Sequence, residues 1–544
     1  MKKLFLAAGV CLALAAQSAD DIDARIRQEE TAHSQILHSL HMLTDRYGPR
    51  LTGSPNHENA AKWAAQQMTE WGFLNAHLEP WDFGHPGWLN ETAVGRMLAP
   101  VRANLKFEVL AWTPSTDGML TASAVELVPP QGPLRPVAAG AGRGGRGATP
   151  THLGPTKDEM AQWLDANKGK VRGKIVMLGS AAVLPVDFTP PAKRRPDDQV
   201  RQQFDPNNPN AGRGFGRGAT PEPDPNRLTA NQVTEMTDAW LKANGAVLRI
   251  NDAGMQHGLI RAFQNRTYDP AQVLPTVVLR NEDYGRIERL LADGEDVRLQ
   301  FDIVNHDYPA GKTTYNVVAD IRGSDKADEI VMLGGHLDSW HAATGATDNA
   351  IGASVVMEAA RLIQALGLKP RRTIRVALWS GEEQGLLGSQ AYVKQHFGSF
   401  EDPKPEFAKL DCYFNIDSGT GRVRGASVFG PPSAATIVRN ALEPFADLGV
   451  AGSVASTSRT LGGTDSTSFS NAGLAGIGMQ QDPIEYQSHT WHTTLDTYER
   501  IVPEDARNSA IVIAAAVWQV ANRDDMLPRF TREQMPARPA PAAR

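Results

Sequence analysis

A chain of 544 residues, 41% apolar and 21% charged, has room for several hydrophobic cores and the composition of a folded, soluble protein. Fifty-five Lys and Arg against 61 Asp and Glu leave a formal charge of −6, too slight to single out nucleic acid or an anionic membrane as a partner. These figures exclude a small stapled module, a wholly disordered or collagenous chain and a many-pass membrane protein.

The first eighteen residues read as a secretory signal peptide. Lys2 and Lys3 precede an uncharged apolar run from Leu4 to Ala16, and small residues follow at Ala16, Ser18 and Ala19. Cleavage after Ser18 fits the small-x-small rule, with a cut after Ala15 as the other option, and either predicts a periplasmic or secreted protein. Thirteen apolar residues are too few to span a bilayer, and no later run reaches eighteen, so no stable membrane anchor is expected. Loss of Cys11 with the leader would leave Cys412 as the single thiol, which rules out an intramolecular disulfide.

Residues 20–110 read as an N-terminal part of the principal domain, with helical spacing from Asp20 to Phe83 and an alanine-rich apolar face over Asn56–Trp71. Residues 111–304 read as an inserted β-rich domain, in which short runs such as Gly173–Leu178 and Leu274–Leu279 are separated by Pro- and Gly-rich stretches. Within it, Gly142–Pro150 and Gly212–Pro221 are near copies of one Arg-Gly pattern and read as solvated loops. Pro190–Asn226 and the tail 526–544 are expected to be disordered. Gly140–Gly145 satisfies G-x-G-x-x-G, but no strand enters it and no helix leaves it, so it carries no dinucleotide.

Residues 305–525 alternate buried-strand and helix patterns. Strands are expected at Glu329–Leu333, Thr373–Trp379, Leu410–Ile416 and Gly473–Met479, and helices at Gly352–Leu366, Gly388–His396, Ser433–Leu442 and Glu504–Ala521. That alternation predicts an α/β fold of three layers, a mixed and mostly parallel sheet flanked by helices, with its site at the carboxyl ends of the strands. Those ends carry the chemistry. The first is followed by Gly334-Gly335-His336-Leu337-Asp338 and then Asp348, the second by Gly381-Glu382-Glu383, the third by Asp417, and the fourth by a loop holding His492 and Asp496. Each residue alone has a plain structural explanation, such as a loop hydrogen bond or a helix cap. Two imidazoles and four carboxylates crowding one rim would repel and raise one another's pKa unless cations neutralised them, so a metal centre is expected.

These motifs, HLDSW at His336, Asp348, GEE at Gly381, Asp417, GGTDSTSF at Gly462 and HTTLDT at His492, together resemble the di-zinc exopeptidase family of bacterial zinc aminopeptidases and plasma glutamate carboxypeptidase, nearer to the latter. The resemblance extends to Leu51-Thr52-Gly53-Ser54 and, more weakly, to a protease-associated insert over Ala111–Val304. It implies two Zn2+ per chain, His336 and Asp417 on one, Glu383 and His492 on the other, and Asp348 bridging them. Mn2+ or Co2+ would also suit this donor set. It further implies a hydroxide held between the metals, Glu382 as general base, and Asp338 as the catalytic partner of the His336 ring. Asp496 could partner His492 or cap its loop. Asp465 is expected to line the cleft near the substrate, and Trp340 and His341 to border a specificity pocket.

The implied activity is exopeptidase cleavage of dipeptides or short peptides, with aminopeptidase action on longer peptides as the runner-up and a catalytically silent binding module as a third reading. A serine hydrolase is excluded by the absence of G-x-S-x-G, and a single-zinc helical protease by the absence of H-E-x-x-H. RNA binding through the Arg-Gly loops is disfavoured by the acidic balance. The expected partner is a short peptide, with no nucleic acid, and the sequence leaves monomer and homodimer both open.

Overall fold

The computed structural model describes residues 19–134, 152–186, 188, 193–208 and 224–538. The leader and both Arg-Gly repeats lie outside the described residues. The chain begins with helices α1 (Ala19–His33), α2 (Ile36–His41) and α3 (Pro55–Glu70), then strand β1 (Leu74–Asp82). The Ser54 hydroxyl caps α3 by accepting the His57 N–H at 3.2 Å, Pro55 occupies the first turn, and the expected alanine face, Ala60, Ala61, Ala64 and Ala65, is buried. The helical reading fails beyond it. Leu74–Asp82 is too polar to announce a strand because it lies on a sheet edge, paired antiparallel on one side only.

A second sheet follows, built from β2 (Gly87–Ala99), β3 (Ala103–Asn104), β4 (Phe107–Val109), β5 (Leu120–Leu127), β6 (Ile175–Leu178), β7 (Leu248–Asp252), β8 (Thr276–Leu279) and β9 (Arg298–Tyr308) in the order β3-β2-β9-β5-β6-β7-β8-β4. Helices α4 (Lys157–Asn167), α5 (Asp197–Gln203), α6 (Ala230–Ala243) and α7 (Asn281–Ala292) lie within the same stretch of chain. The sheet starts at Gly87 and runs to Tyr308, so the expected bounds of 111 and 304 cut through it. Strands β2 and β9 pair over nearly their whole length and tie the two ends of the excursion together.

The remaining strands complete the first sheet: β10 (Thr313–Ile321), β11 (Lys326–His336), β12 (Arg372–Trp379), β13 (Leu410–Asn415), β14 (Val423–Phe429), β15 (Ser453–Ser456) and β16 (Gly476–Gln481), ordered β1-β10-β12-β11-β13-β16-β14-β15. The centre, β12-β11-β13-β16, is parallel, while β1, β10 and β14 introduce antiparallel pairs. Helices α8 (Ile351–Ala365), α9 (Leu387–His396), α10 (Pro432–Leu442), α11 (Ser466–Ala472) and α12 (Pro503–Ala521) complete the fold. Helices α8 and α12 join α1–α3 in one continuous core against β11, β12 and β13, while α9 and α11 contribute to a second core that includes Trp379 and Tyr413. This is the mixed α/β sheet with flanking helices that the sequence predicts. No helix among the described residues is long and apolar enough to cross a membrane.

Two segments expected to be disordered are anchored instead. Arg194 forms a bidentate pair with Asp505 at 2.6 and 2.9 Å, the Arg195 N–H donates to Asp482, and Phe204 is fully buried with Val200 and Val454 against the far edge of the first sheet. Burying a ring of this size stabilises by about 1.5–3 kcal/mol, which offsets the ordering of about one or two residues, so the Arg194 and Arg195 contacts are needed as well. At the C terminus Leu527 is buried with its N–H on Asp411 at 2.8 Å, Phe530 packs on Phe429, and Arg538 pairs with Glu401 at 2.6 Å. Composition shows the prolines and charges of these stretches but not their anchors.

Glu30 is buried where α1 meets α8. Burial first, then the neighbouring Glu358 carboxylate, push its carboxyl up to about 9, while Glu358 itself is held by Arg361 at 2.8 and 2.9 Å. Because the folded-state pKa lies above the ordinary value of 4.5, the protonated acid's contribution is complete below pH 4.5 and is lost as pH rises toward 9. Glu30→Gln should therefore melt near wild type at pH 5 and a few degrees higher at pH 8–9, a widening gap readable by scanning fluorimetry; a gap independent of pH would contradict the assignment.

Candidate metal centre

Strand β11 ends at His336, and its last residues are glycines for a steric reason. A Cβ on Gly334 would lie 2.4 Å from the Ala377 carbonyl oxygen of β12, so only glycine lets the strands close up here. The His336 ring is buried, and its Nδ1–H donates to the Asp338 carbonyl oxygen at 3.0 Å, which leaves Nε2 as the free lone pair. That atom is 3.2 Å from Asp348 Oδ1 and 3.3 Å from Asp417 Oδ1. From the other side His492 Nε2 is 3.1 Å from Asp348 Oδ2 and 2.9 Å from Glu383 Oε2. The five expected ligands thus converge on one point of the rim, and Glu382 joins His336 and Asp417 in a second cluster of the same kind.

Three expectations are corrected. The Asp338 carboxylate is not the hydrogen-bond partner of His336, since its nearer oxygen is 3.6 Å from Nδ1 and the backbone carbonyl makes the bond. It accepts instead from Thr52 Oγ1 at 2.9 Å and from the N–H groups of Glu382 and Glu383 at 3.3 Å each, holding the GEE loop against the His336 strand. Asp496 does not reach His492, whose Nδ1 has no partner; it accepts the Thr347 N–H and so fixes the turn into Asp348. Asp465 lines no open cleft: it is fully buried, with neither carboxylate oxygen hydrogen-bonded, and lies close enough to Glu382 to help raise that residue's pKa.

Two supporting residues have no motif of their own. Arg50, fully buried, donates to the carbonyls of Leu337, Leu43, Thr344 and Gly345 at 2.6–2.9 Å and knits together the loop between His336 and Asp348. Burial lowers its pKa to about 10, with Asp496, Asp338 and Asp348 opposing, so it remains a cation beneath an acidic site. Thr52 accepts the Gly381 N–H at 3.0 Å while donating to Asp338. The only sequence signal was the resemblance of the short segment 51–54.

The second sheet also reaches this rim. Phe263 packs edge-on against His492, ring centres 5.4 Å apart, and against Trp340 at 5.2 Å, while the His341 Nε2–H donates to the Val109 carbonyl at 2.6 Å. Trp340 and His341 therefore join the two sheets, and Trp340 also lines a small recess with Glu383, His492 and Asp496.

Electrostatics and orphaned atoms fit a divalent cation. Burial pushes Glu383 up to about 7, with Asp348 adding to it against His492, and burial pushes Asp465 to about 7 and Asp496 to about 8. Burial disfavours the His492 cation, but Glu383 and Asp348 outweigh it and raise that pKa to about 10. Asp348 Oδ2 and Glu383 Oε1 are buried without hydrogen-bond partners. Imidazole nitrogens and carboxylate oxygens at 2.9–3.3 Å from each other match the edges of a coordination shell with bonds of roughly 2.0–2.2 Å. The residues therefore suit zinc or a neighbouring transition metal.

The fold is a mixed α/β sheet flanked by helices, and its rim gathers imidazole and carboxylate groups that could hold a metal. Residues 316–517 match the model of Peptidase family M28. Carboxypeptidase Q of Mus musculus is 32% identical over 261 residues, 48% of this chain and 53% of that protein. Leupeptin-inactivating enzyme 1 of Streptomyces exfoliatus is 29% identical over 225 residues, 38% of this chain and 49% of that protein. The chain spans about half the length of these curated relatives. Among solved structures, a Peptidase M28 precursor from Shewanella amazonensis superimposes with a TM-score of 0.62 at 24% identity, covering 95% of this chain and all of that one. BSAP, a zinc aminopeptidase from Bacillus subtilis, gives 0.52 at 17% identity, covering 90% and 95%. Both extend the likeness in fold across the second sheet.

Asp338→Asn should weaken metal retention by about 10- to 100-fold, measured by equilibrium dialysis with metal analysis, at little cost in melting temperature. Asp348→Ala should lose all bound metal. Retention of two tightly held ions by Asp348→Ala would refute its bridging place.

Proposed function

We propose that this protein is an exported di-zinc exopeptidase that cleaves short peptides. The observation that carries the proposal is the Asp348 carboxylate, which meets His336 through one oxygen and His492 through the other, each imidazole accompanied by one further carboxylate. Two such half-shells sharing one bridging acid are what a pair of cations requires. The expected leader supports export, and the 32% identity to a protein named Carboxypeptidase Q supports the exopeptidase reading.

His336 and Asp417 would hold one zinc, His492 and Glu383 the other, with Asp348 between them. These residues would hold ions able to polarise a scissile carbonyl and to lower the pKa of water toward neutrality. Glu382 takes the proton from the attacking water and returns it to the leaving amine. In the metal-free site burial holds its carboxyl well above the ordinary range, opposed by His336 and reinforced by Asp417, Glu383 and Asp465; cations bound beside it would favour the carboxylate that a base requires. Asp338 orients the base by gripping its backbone N–H. Aminopeptidase action is the second reading, favoured by the fold shared with a zinc aminopeptidase. All ligand positions and the base are occupied, which argues against a silent binding module.

Zinc-loaded protein should hydrolyse short peptides and lose that activity on exhaustive dialysis against chelator. A panel blocked at either terminus then separates the two exopeptidase classes. Glu382→Gln should keep its metal and lower kcat by about 10²- to 10⁴-fold; near-normal kcat would remove Glu382 as the base.

A further inference from the structure

The loop that carries His492 is paired with a segment of the second sheet's chain. Arg261 and Thr493 form an isolated antiparallel bridge, and the Thr494 N–H donates to the Ile260 carbonyl at 3.0 Å. In an extended segment alternate side chains share a face. Ala262 is fully buried, while Arg261 and Phe263, on either side of it, both turn to the His492 loop: Phe263 against His492 itself, and Arg261 with its guanidinium carbon 4.7 Å from the ring centre of Trp491. The Trp491 ring is 4.1 Å from that of His492, centre to centre. Arg261 therefore stands one aromatic ring away from a metal-site imidazole.

Arg261 also differs from other arginines that are buried or half-buried. Arg50, Arg194, Arg195 and Arg424 are spent on carbonyls or carboxylates. Among the described residues the Arg261 side chain has no ion pair or hydrogen bond, and its Nε is buried without a partner. Burial alone lowers its pKa, with no carboxylate pulling the other way. A half-buried guanidinium without an anion, held over an indole ring, is poised for a carboxylate from outside the chain, which its fork can grip through two parallel N–H bonds.

We propose that Arg261 is a specificity-determining residue that binds a substrate carboxylate, so that the second sheet selects peptides by an anionic group beside the scissile bond. This rests on the exopeptidase reading above and deepens it. One residue of peptide spans up to about 3.6 Å, so a guanidinium one ring beyond His492 is within reach of a carboxylate one or two residues past the cleaved amide. A free C-terminal carboxylate and an acidic side chain offer the same chemistry at that distance, and the experiment separates them.

Binding is measured by calorimetry on zinc-loaded Glu382→Gln protein, where hydrolysis does not interfere, with Ala-Ala-Ala, its C-terminal amide, and the pair N-acetyl-Ala-Glu-amide and N-acetyl-Ala-Gln-amide. The free acid should bind about 10- to 100-fold more tightly than its amide if the C-terminus is the source, and the Glu peptide more tightly than the Gln peptide if the side chain is. Adding Arg261→Gln should erase whichever preference exists, while Arg261→Lys should keep part of it; metal content and melting temperature show whether each variant is folded. In the active enzyme the same change should appear mainly in KM. Equal binding within both pairs, or a preference that survives in a folded, metal-loaded Arg261→Gln protein, overturns the proposal. Carboxylate-selective binding without turnover by the parent enzyme would instead overturn the exopeptidase reading and leave this one standing.

Discussion

Four carboxylates share one buried rim, and the structure must neutralise them or protonate them. Two like charges 4 Å apart at an effective dielectric of about 20 repel by roughly 4 kcal/mol, so Asp348, Glu382, Glu383 and Asp417 cannot all be ionised without compensation. Part of it comes from the two imidazoles meeting Asp348, and part from Arg50 below them. The rest falls to protons on Glu382 and Glu383 or to bound cations, so acid and metal compete for the same oxygens.

The architecture follows from that constraint. Parallel strands β11, β12 and β13 end at the same level, which is what brings loops distant in sequence to one place. The loops are then locked to one another through few contacts: Asp338 ties the His336 strand to the GEE loop, Asp496 ties the His492 loop to the turn at Asp348, and Arg50 binds carbonyls on both sides of that turn. Each of these three is a buried ionisable group whose hydrogen-bonding capacity goes to backbone groups or short hydroxyls. Such bonds fix position without adding a competing metal donor.

Much of this was legible because buried parallel strands are uninterrupted apolar runs, and His336, Glu382 and Asp417 stand where those runs stop. Edge strands carry no such signature, and so Leu74–Asp82 passed for a helical continuation and β15 was not anticipated; β14, buried between β16 and β15, was missed because Arg424 and Gly425 interrupt its apolar run. Composition misled at 193–208 and 526–538, where a few anchors, Phe204, Arg194, Leu527 and Phe530, hold chain that is otherwise rich in proline and charge. Asp465 misled for another reason: a motif fixes that a residue lies near the site, not which side of the rim its carboxylate occupies. Arg50 and Thr52 are scarcely visible in sequence because their roles are defined by backbone atoms about 290 to 330 positions away.

The rim is also divided by origin. The metal-site residues come from loops of the first sheet, whose positions are set by strand pairing and by buried charges that have no freedom to drift. The aromatic and cationic surface against His492, Phe263 and Arg261, comes from the chain between β7 and β8 of the second sheet, which meets the His492 loop through one backbone bridge, the Thr494 N–H and ring packing. Residues on the second sheet can therefore change what is presented to the metal site without altering the distances among His336, Asp348 and His492. The metal cluster and the surface beside it rest on different parts of the chain, coupled at the His492 loop.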